Sequence, residues 1–314
     1  MDPLYRHCLV QSATHTENRL YLSESDEAKS FGDIAVSECT GSEEYDSMCE
    51  YYCMQWVTSV RKSRGLGPLK YYGHWPYLHF FGMQEPASAV FSLLNAVPHF
   101  WALHMSIRKQ YVRERHYLSV WLSFYPIVSL NAWIASTTYH TSHGHEQQHH
   151  VVPLSSSMYD YMSALGILTY AVLLVTRRIL GKEASISTVY ILSLCTSTFF
   201  LVQIYRMYIG VVTYNSHMQL CIFLAVIHVC LWLLWIVFTS TSSKRARILC
   251  FICNTWFVAA SLLELYDFQP LLYYFDAHAL WHAATVPLGF MWYFFWMIDV
   301  EHECSELVTG MKVK

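Results

Sequence analysis

Residues 217–239 read HMQLCIFLAVIHVCLWLLWIVFT, a run without a single Asp, Glu, Lys or Arg. An α-helix needs about 20 mostly apolar residues to cross a bilayer, and this run supplies them. Six further stretches have the same character: 86–107, 117–139, 159–175, 186–205, 248–265 and 279–300. Polar breaks separate neighbours, no long loop intervenes, and no internal repeat is present. The chain is 54% hydrophobic and 14% charged, too apolar for a soluble domain of its length. The expected fold is an all-α membrane protein, a seven-transmembrane helical bundle with a small disulfide-bonded N-terminal segment. The expected boundaries are 1–84 for that segment, 85–300 for the bundle and 301–314 for a tail.

Charge placement orients the spans. The first loop carries Arg108, Lys109, Arg113 and Arg115, the third Arg177, Arg178 and Lys182, and the fifth Lys244, Arg245 and Arg247. The second and sixth loops carry no Lys or Arg, and the fourth has only Arg206. The excess of basic residues in cytoplasmic loops puts the odd loops, with Lys312 and Lys314, in the cytosol. Residues 1–84 and the even loops then face the lumen or the exterior. Acidic residues crowd the N-terminal segment (Glu24, Asp26, Glu27, Glu43, Glu44, Asp46, Glu50), and the net charge of -3 comes with no basic stripe, so nucleic acid is not an expected partner.

Met1-Asp2-Pro3-Leu4-Tyr5 has neither a basic n-region nor an apolar h-region. An exported N-terminal segment therefore implies a signal removed or lying upstream, the alternative being export by the first span unaided. Four of the ten cysteines lie in that segment, Cys8, Cys39, Cys49 and Cys53, and suggest two disulfides. On a helix Cys49 and Cys53 share a face but are too far apart to bond each other readily, so each is expected to reach elsewhere. Cys250 and Cys253 have redox-like spacing at the cytosolic end of a span and read as packing residues.

Ionisable residues at the ends of spans are expensive and need a reason. Ser136-Thr137-Thr138-Tyr139-His140 closes the second span, with Ser136 and His140 on one helical face. Asp160 opens the third span, and His278-Ala279-Leu280-Trp281-His282 opens the seventh with both imidazoles on one face. The alternating topology brings these residues, distant in sequence, to one membrane level on the luminal side. Three imidazoles with an open fourth position make a catalytic zinc arrangement, and such a zinc lowers the pKa of a bound water to about 7. HxxxH alone is a weak signal and lacks the Glu of HExxH. A carboxylate must come from another element, and Asp160 is the candidate.

SxxxH, then an Asp, then HxxxH over seven spans resembles the CREST superfamily of membrane hydrolases, which includes alkaline ceramidases, adiponectin and progestin receptors, and GPI-anchor-remodelling lipases. Finer motifs favour the last, the GPI-remodelling phospholipase family. They are Tyr5-Arg6-His7-Cys8, Tyr52-Cys53-Met54-Gln55-Trp56, His74-Trp75-Pro76, Gln84-Glu85-Pro86-Ala87-Ser88, Ser129-Leu130-Asn131-Ala132-Trp133, Leu262-Leu263-Glu264-Leu265 with Asp267-Phe268, and Asp276-Ala277-His278 with Trp281-His282. The similarity runs from near residue 5 to about residue 300. It departs where Ser12 and Tyr45 stand about where two further cysteines are expected. It also departs in the second loop, whose His143, His145, His149 and His150 with Gln147 and Gln148 exceed the family's usual length and histidine content. A second metal site or a solvated, titrating loop are the two readings of those histidines.

The resemblance implies a Golgi or endoplasmic reticulum enzyme that removes the sn-2 fatty acid from the phosphatidylinositol of GPI-anchored proteins, leaving a lyso-GPI. In that reading His140, His278 and His282 hold Zn2+. Asp160 orients a water and moves its proton, and Ser136 hydrogen-bonds a ligand or the oxyanion. Glu85 and Asp276 are candidates to support the ligand histidines, while Glu264 and Asp267 could cap or pair helix ends. The rival readings are a ceramidase-type amidase and a receptor-like bundle with structural zinc. A transporter fits poorly, because the charged groups gather at one face and not at the bilayer midplane.

Overall fold

The structure, a computed structural model, describes Leu4, Cys8 and residues 47–71, 73–104, 116–142, 156–239 and 242–312. Among these residues the regular structure is helical: α1 Ser47–Ser63, α2 Pro86–His104, α3 Ser119–Thr141, α4 Ser156–Leu180, α5 Ile186–Tyr208, α6 Tyr214–Phe238, α7 Lys244–Tyr266 and α8 Ala277–Lys312. Local chemistry sets several starts. Ser185 and Ser243 cap α5 and α7 by accepting from the backbone N–H groups of Thr188 and Ala246, and Thr213 with Ser216 forms a capping box on α6.

The chain divides into two units. The first comprises residues 1–85, 143–150 and 268–276. In it Cys8, Cys49 and Cys53 pack with Trp56, Val57, Val60 and Tyr71. Cys53 is disulfide-bonded to Cys8, and Cys49 is also disulfide-bonded; Cys39 lies outside the described residues. Gln55 donates to the carbonyl of Tyr77 at 2.7 Å, and Tyr77 donates through its hydroxyl to Asp276 at 2.6 Å. A core of this size is held largely by its cross-links. Residues 268–276 belong to this unit although they are far from residue 85 in the chain.

The second unit holds α2 to α8. Its helices pack in the cyclic order α2–α3–α4–α6–α7–α8, with α8 returning to α2, and α5 lies against α4. Five helices are long and apolar enough to cross a membrane: α4, α5, α6, α7 and α8 up to Ser305. The two remaining expected spans coincide with α2 and α3, whose apolar sequence is interrupted by Ser, Asn, Pro and His. Those interruptions point inward. Ser88, Ser92, Asn95 and His99 of α2 and Ser129, Ser136 and His140 of α3 are buried, whereas Val90, Leu93, Phe100, Phe124 and Ile134 are exposed. Polar inside and apolar outside is the reverse of a water-soluble bundle and suits a lipid surround.

The far half of the ring is filled by Trp232, Trp235, Trp292, Phe295 and Trp296. Beside it lies an ionic cluster. Arg178 forks onto Asp299 at 2.6 and 3.0 Å and meets Glu303 at 3.0 Å, Ser242 donates to Asp299, and His116 pairs with Glu303 at 2.8 Å. Asp299 is 0% exposed. Arg177 lies over the ring of Tyr117 and donates to the carbonyl of Gly181. Two residues expected in the third loop are therefore in the last turn of α4 and buried, because Asp299 of α8 draws one of them inward. The expected tail likewise starts as helix, since α8 continues without a break through Lys312. Cys250 and Cys253 are buried in the same core as free thiols.

Truncating one partner of a buried ion pair leaves the other charge uncompensated. Arg178→Ala is expected to lower stability by about 3–5 kcal/mol, measured as apparent thermal unfolding in detergent. The paired change Arg178→Met with Asp299→Leu is expected to lose much less.

Candidate metal centre

Two helices supply the candidate ligands. Ser136 and His140 lie one turn apart near the end of α3, and His278 and His282 one turn apart at the start of α8; four-residue spacing puts each pair on one face. The three Nε2 atoms converge. His140 is 3.3 Å from His278 and 3.2 Å from His282, and His278 is 2.9 Å from His282. His140 is 2% and His282 1% exposed, while His278 is half-buried.

The second ring nitrogen of His278 decides what the first can do. Nδ1 lies 2.5 Å from the Oε2 of Glu264 in the last turn of α7. A carboxylate accepts, so Nδ1 carries the proton, and in the neutral imidazole Nε2 then presents a lone pair. His282 Nδ1 is buried without a hydrogen-bond partner among the described residues. Hydrogen bonding among three imidazole nitrogens this close cannot satisfy all of them: a proton on one Nε2 serves at most its neighbours, and protons on every Nδ1 leave three lone pairs facing one another.

A cation inside the triangle resolves that conflict. Zn–N bonds of about 2.0–2.1 Å in a tetrahedral site put ligand nitrogens about 3.3 Å apart, close to what is found. The donor set, three neutral imidazoles plus a carboxylate hydrogen-bonded behind one of them, is the arrangement used for zinc. The residues fit the metal.

Neighbouring contacts fix the register of α8 against α2. Asn95 of α2 donates to the carbonyl of His282 at 2.7 Å, and Thr285 donates to the same oxygen at 2.8 Å. Farther along, Gly289 faces Pro98, where an added Cβ would sit 2.7 Å from the proline ring. Only a residue without a side chain allows this approach. Trp133 stands edge-on to His282, and Trp281 flanks His278.

The other anticipated residues are distributed as follows. Ser136 is buried with its hydroxyl 3.0 Å from that of Ser92 on α2. Asp160 is half-buried in the second turn of α4. Its neighbour Tyr161 packs near Tyr139, which in turn packs on His140. Within the first unit, Glu85 accepts from His74 at 3.0 Å and Asp276 accepts from Tyr77. Asp267 ends α7 in a left-handed conformation. His143, His145, His149 and His150 lie outside the described residues. The feature underweighted by sequence reasoning is Glu264. An acid within the apolar run Leu262-Leu263-Glu264-Leu265 is itself a signal of function, but its partner arrives from another helix.

Residues 40–300 match the Per1-like family. The chain is 32% identical over 261 residues to "Post-GPI attachment to proteins factor 3" of Drosophila melanogaster, covering 83% of this chain and 73% of that protein. It is 30% identical over 275 residues to "GPI-specific phospholipase A2-like PGAP3" of Danio rerio, covering 84% and 80%. The Homo sapiens protein of that name is 28% identical over 311 residues, covering 94% and 86%. These relatives agree with the resemblance carried by the sequence motifs. No solved structure matches the chain.

His282→Ala is expected to abolish stoichiometric zinc in the purified protein, read by elemental analysis beside the unaltered chain. Glu264→Gln removes the carboxylate behind His278 and is expected to weaken zinc binding about 10–100-fold, read by competition with a chromogenic chelator. Zinc retained at full affinity in both variants would show that the triad is not the metal site.

Proposed function

This chain belongs to the Per1-like family, and from that premise and the histidine centre we propose that it is a zinc-dependent phospholipase A2 of GPI-anchor remodelling. The bond cut is the sn-2 ester of the phosphatidylinositol on GPI-anchored proteins, and the product is a lyso-GPI. One observation carries the hydrolase reading: three imidazole Nε2 atoms lie within 2.9–3.3 Å of one another with no fourth ligand from His, Cys, Asp or Glu grouped with them among the described residues. The open position is left for substrate and water.

Zinc bound there would polarise the ester carbonyl and lower the pKa of water. The protein's own groups do the rest. His140, His278 and His282 hold the ion, and Glu264 fixes the tautomer and orientation of His278. Asp160 takes the proton of the attacking water and gives it to the leaving alkoxide, as a carboxylate on another helix must when HxxxH lacks its own Glu. Ser136 donates its hydroxyl toward the developing oxyanion, with Ser92 holding it in place.

A centre at the start of α8 and the end of α3 lies near a membrane surface, where a lipid ester is within reach. The remaining basic residues, among them Lys182 in the loop after α4 and Lys244, Arg245 and Arg247, which the structure places in the first turn of α7 and not in a loop, support a luminal placement of that surface. The GPI lipid lies in the luminal leaflet, which suits residence in the Golgi or endoplasmic reticulum.

The test is the purified chain in nanodiscs, offered a GPI-anchored reporter and, separately, ceramide. Release of fatty acid with lyso-GPI formation, without sphingosine, is the expected result. Asp160→Asn is expected to lower turnover by about 10²–10⁴-fold while zinc content stays unchanged. Sphingosine without lyso-GPI would favour the amidase, and a His278→Ala chain that folds and still remodels GPI anchors would favour a structural zinc.

A further inference from the structure

Exposed apolar side chains are expected on helices that face lipid, but the first unit carries them too, and in one place. Among its described residues the large exposed hydrophobic side chains are Leu66, Phe80, Phe81, Leu271, Leu272 and Phe275. All but Leu66 sit on two tight turns. One is closed by paired backbone bonds between Phe80 and Met83, 3.2 and 3.0 Å, and the other by bonds between Leu271 and Phe275, 2.8 and 3.0 Å. The turns are joined by the N–H of Leu78 donating to the carbonyl of Tyr273 at 3.2 Å.

The tips are unusual in both exposure and backbone. Phe81 is 89% and Leu272 79% exposed. Phe81, Leu272 and Tyr273 have φ of 49°, 55° and 62°, a region that bulky L-residues rarely occupy. Turns of this kind ordinarily use Gly or Asn at such positions. Here strained backbone presents Phe and Leu outward, which water does not reward and hydrocarbon does.

Chain connection and charge identify what covers them. Phe81 stands five residues before Pro86, where α2 begins, and Leu272 five before Ala277, where α8 begins. At about 3.3–3.6 Å per extended residue, neither tip can lie more than about 18 Å from the start of its helix. An exposed cation flanks the second turn: Lys62 lies 5.6 Å from the ring of Tyr273. Apolar tips beside an aromatic ring and a lysine are the composition of a membrane interface.

We propose that the turns 80–83 and 271–275 form a lipid-inserted lip, with Phe80, Phe81, Leu271 and Leu272 seated in the headgroup–acyl boundary of the bilayer. The lip gives the first unit a hold on the membrane of its own and is independent of the hydrolase reading.

The test uses the full chain in nanodiscs of phosphatidylcholine and phosphatidylinositol, with p-benzoylphenylalanine replacing Phe81, Leu272, Leu66 or Val237 in turn. Val237 is an exposed residue of the lipid-facing helix α6, and Leu66 is the exposed apolar residue of the first unit outside the turns. After illumination, lipid adducts at positions 81 and 272 are expected within about threefold of those at 237 and at least about tenfold above those at 66. Intact mass without reductant confirms in each variant that the disulfides have formed. Adduct yields at 81 and 272 no higher than at 66 would overturn the proposal. Cross-links from those positions to a second copy of the chain in place of lipid would overturn it as well.

Discussion

A polar group inside a bilayer must find its partner within the protein, because the surrounding hydrocarbon offers none. That constraint organises the second unit. Ser92 meets Ser136, Asn131 donates to Ser163, Asn95 donates to the carbonyl of His282, and Arg178 is forked onto Asp299. Each is a link between helices, so the polar residues that make α2 and α3 poor spans by apolarity are the ones that hold them in the ring. Their apolar residues are free to face outward.

Two helices carry both polar ends of the ring. α8 holds His278 and His282 at its start and Asp299 and Glu303 farther on, and α4 holds Asp160 near its start and Arg178 near its end. From His282 to Asp299 the helix rises about 25 Å at 1.5 Å per residue. The ionic cluster therefore fixes α4 against α8 at the end remote from the histidines, and with them the helix that bears Asp160. A zinc centre needs its ligands placed to within a fraction of an ångström. Rigid helices clamped at both ends supply that placement without a loop taking part.

The histidine triangle connects fold to chemistry. Three Nε2 atoms at these separations suit one ion and suit little else, and the Glu264 carboxylate decides which nitrogen of His278 is the donor to it. The names of its relatives support the proposed class of substrate, and the triangle at a helix end supports the proposed chemistry. The reading of a GPI-lipid esterase joins these two independent lines. The proposed lipid-inserted lip, by contrast, rests on turn geometry, exposure, chain connection and a neighbouring lysine.

The apolar runs were legible because hydrophobicity over about 20 residues is a local property. The histidines were legible because helical periodicity converts SxxxH and HxxxH into faces. The pairing of Cys49 and Cys53 to other cysteines followed from the same periodicity. Burial was not legible. Arg177 and Arg178 read as loop charges, since a sequence displays charge without showing Asp299 waiting on a helix more than a hundred residues away. Glu264 was visible as an acid in an apolar run, yet its partner His278 belongs to another helix. The two apolar turns were equally hidden, because Phe81 and Leu272 become a surface only when Leu78 binds Tyr273 across the fold. Sequence alone determined the apolar helices and the faces that carry the histidines, for those depend on neighbours along the chain. Which polar groups meet, and at what distance, was decided by tertiary packing, because hydrogen bonds and metal sites depend on neighbours in space.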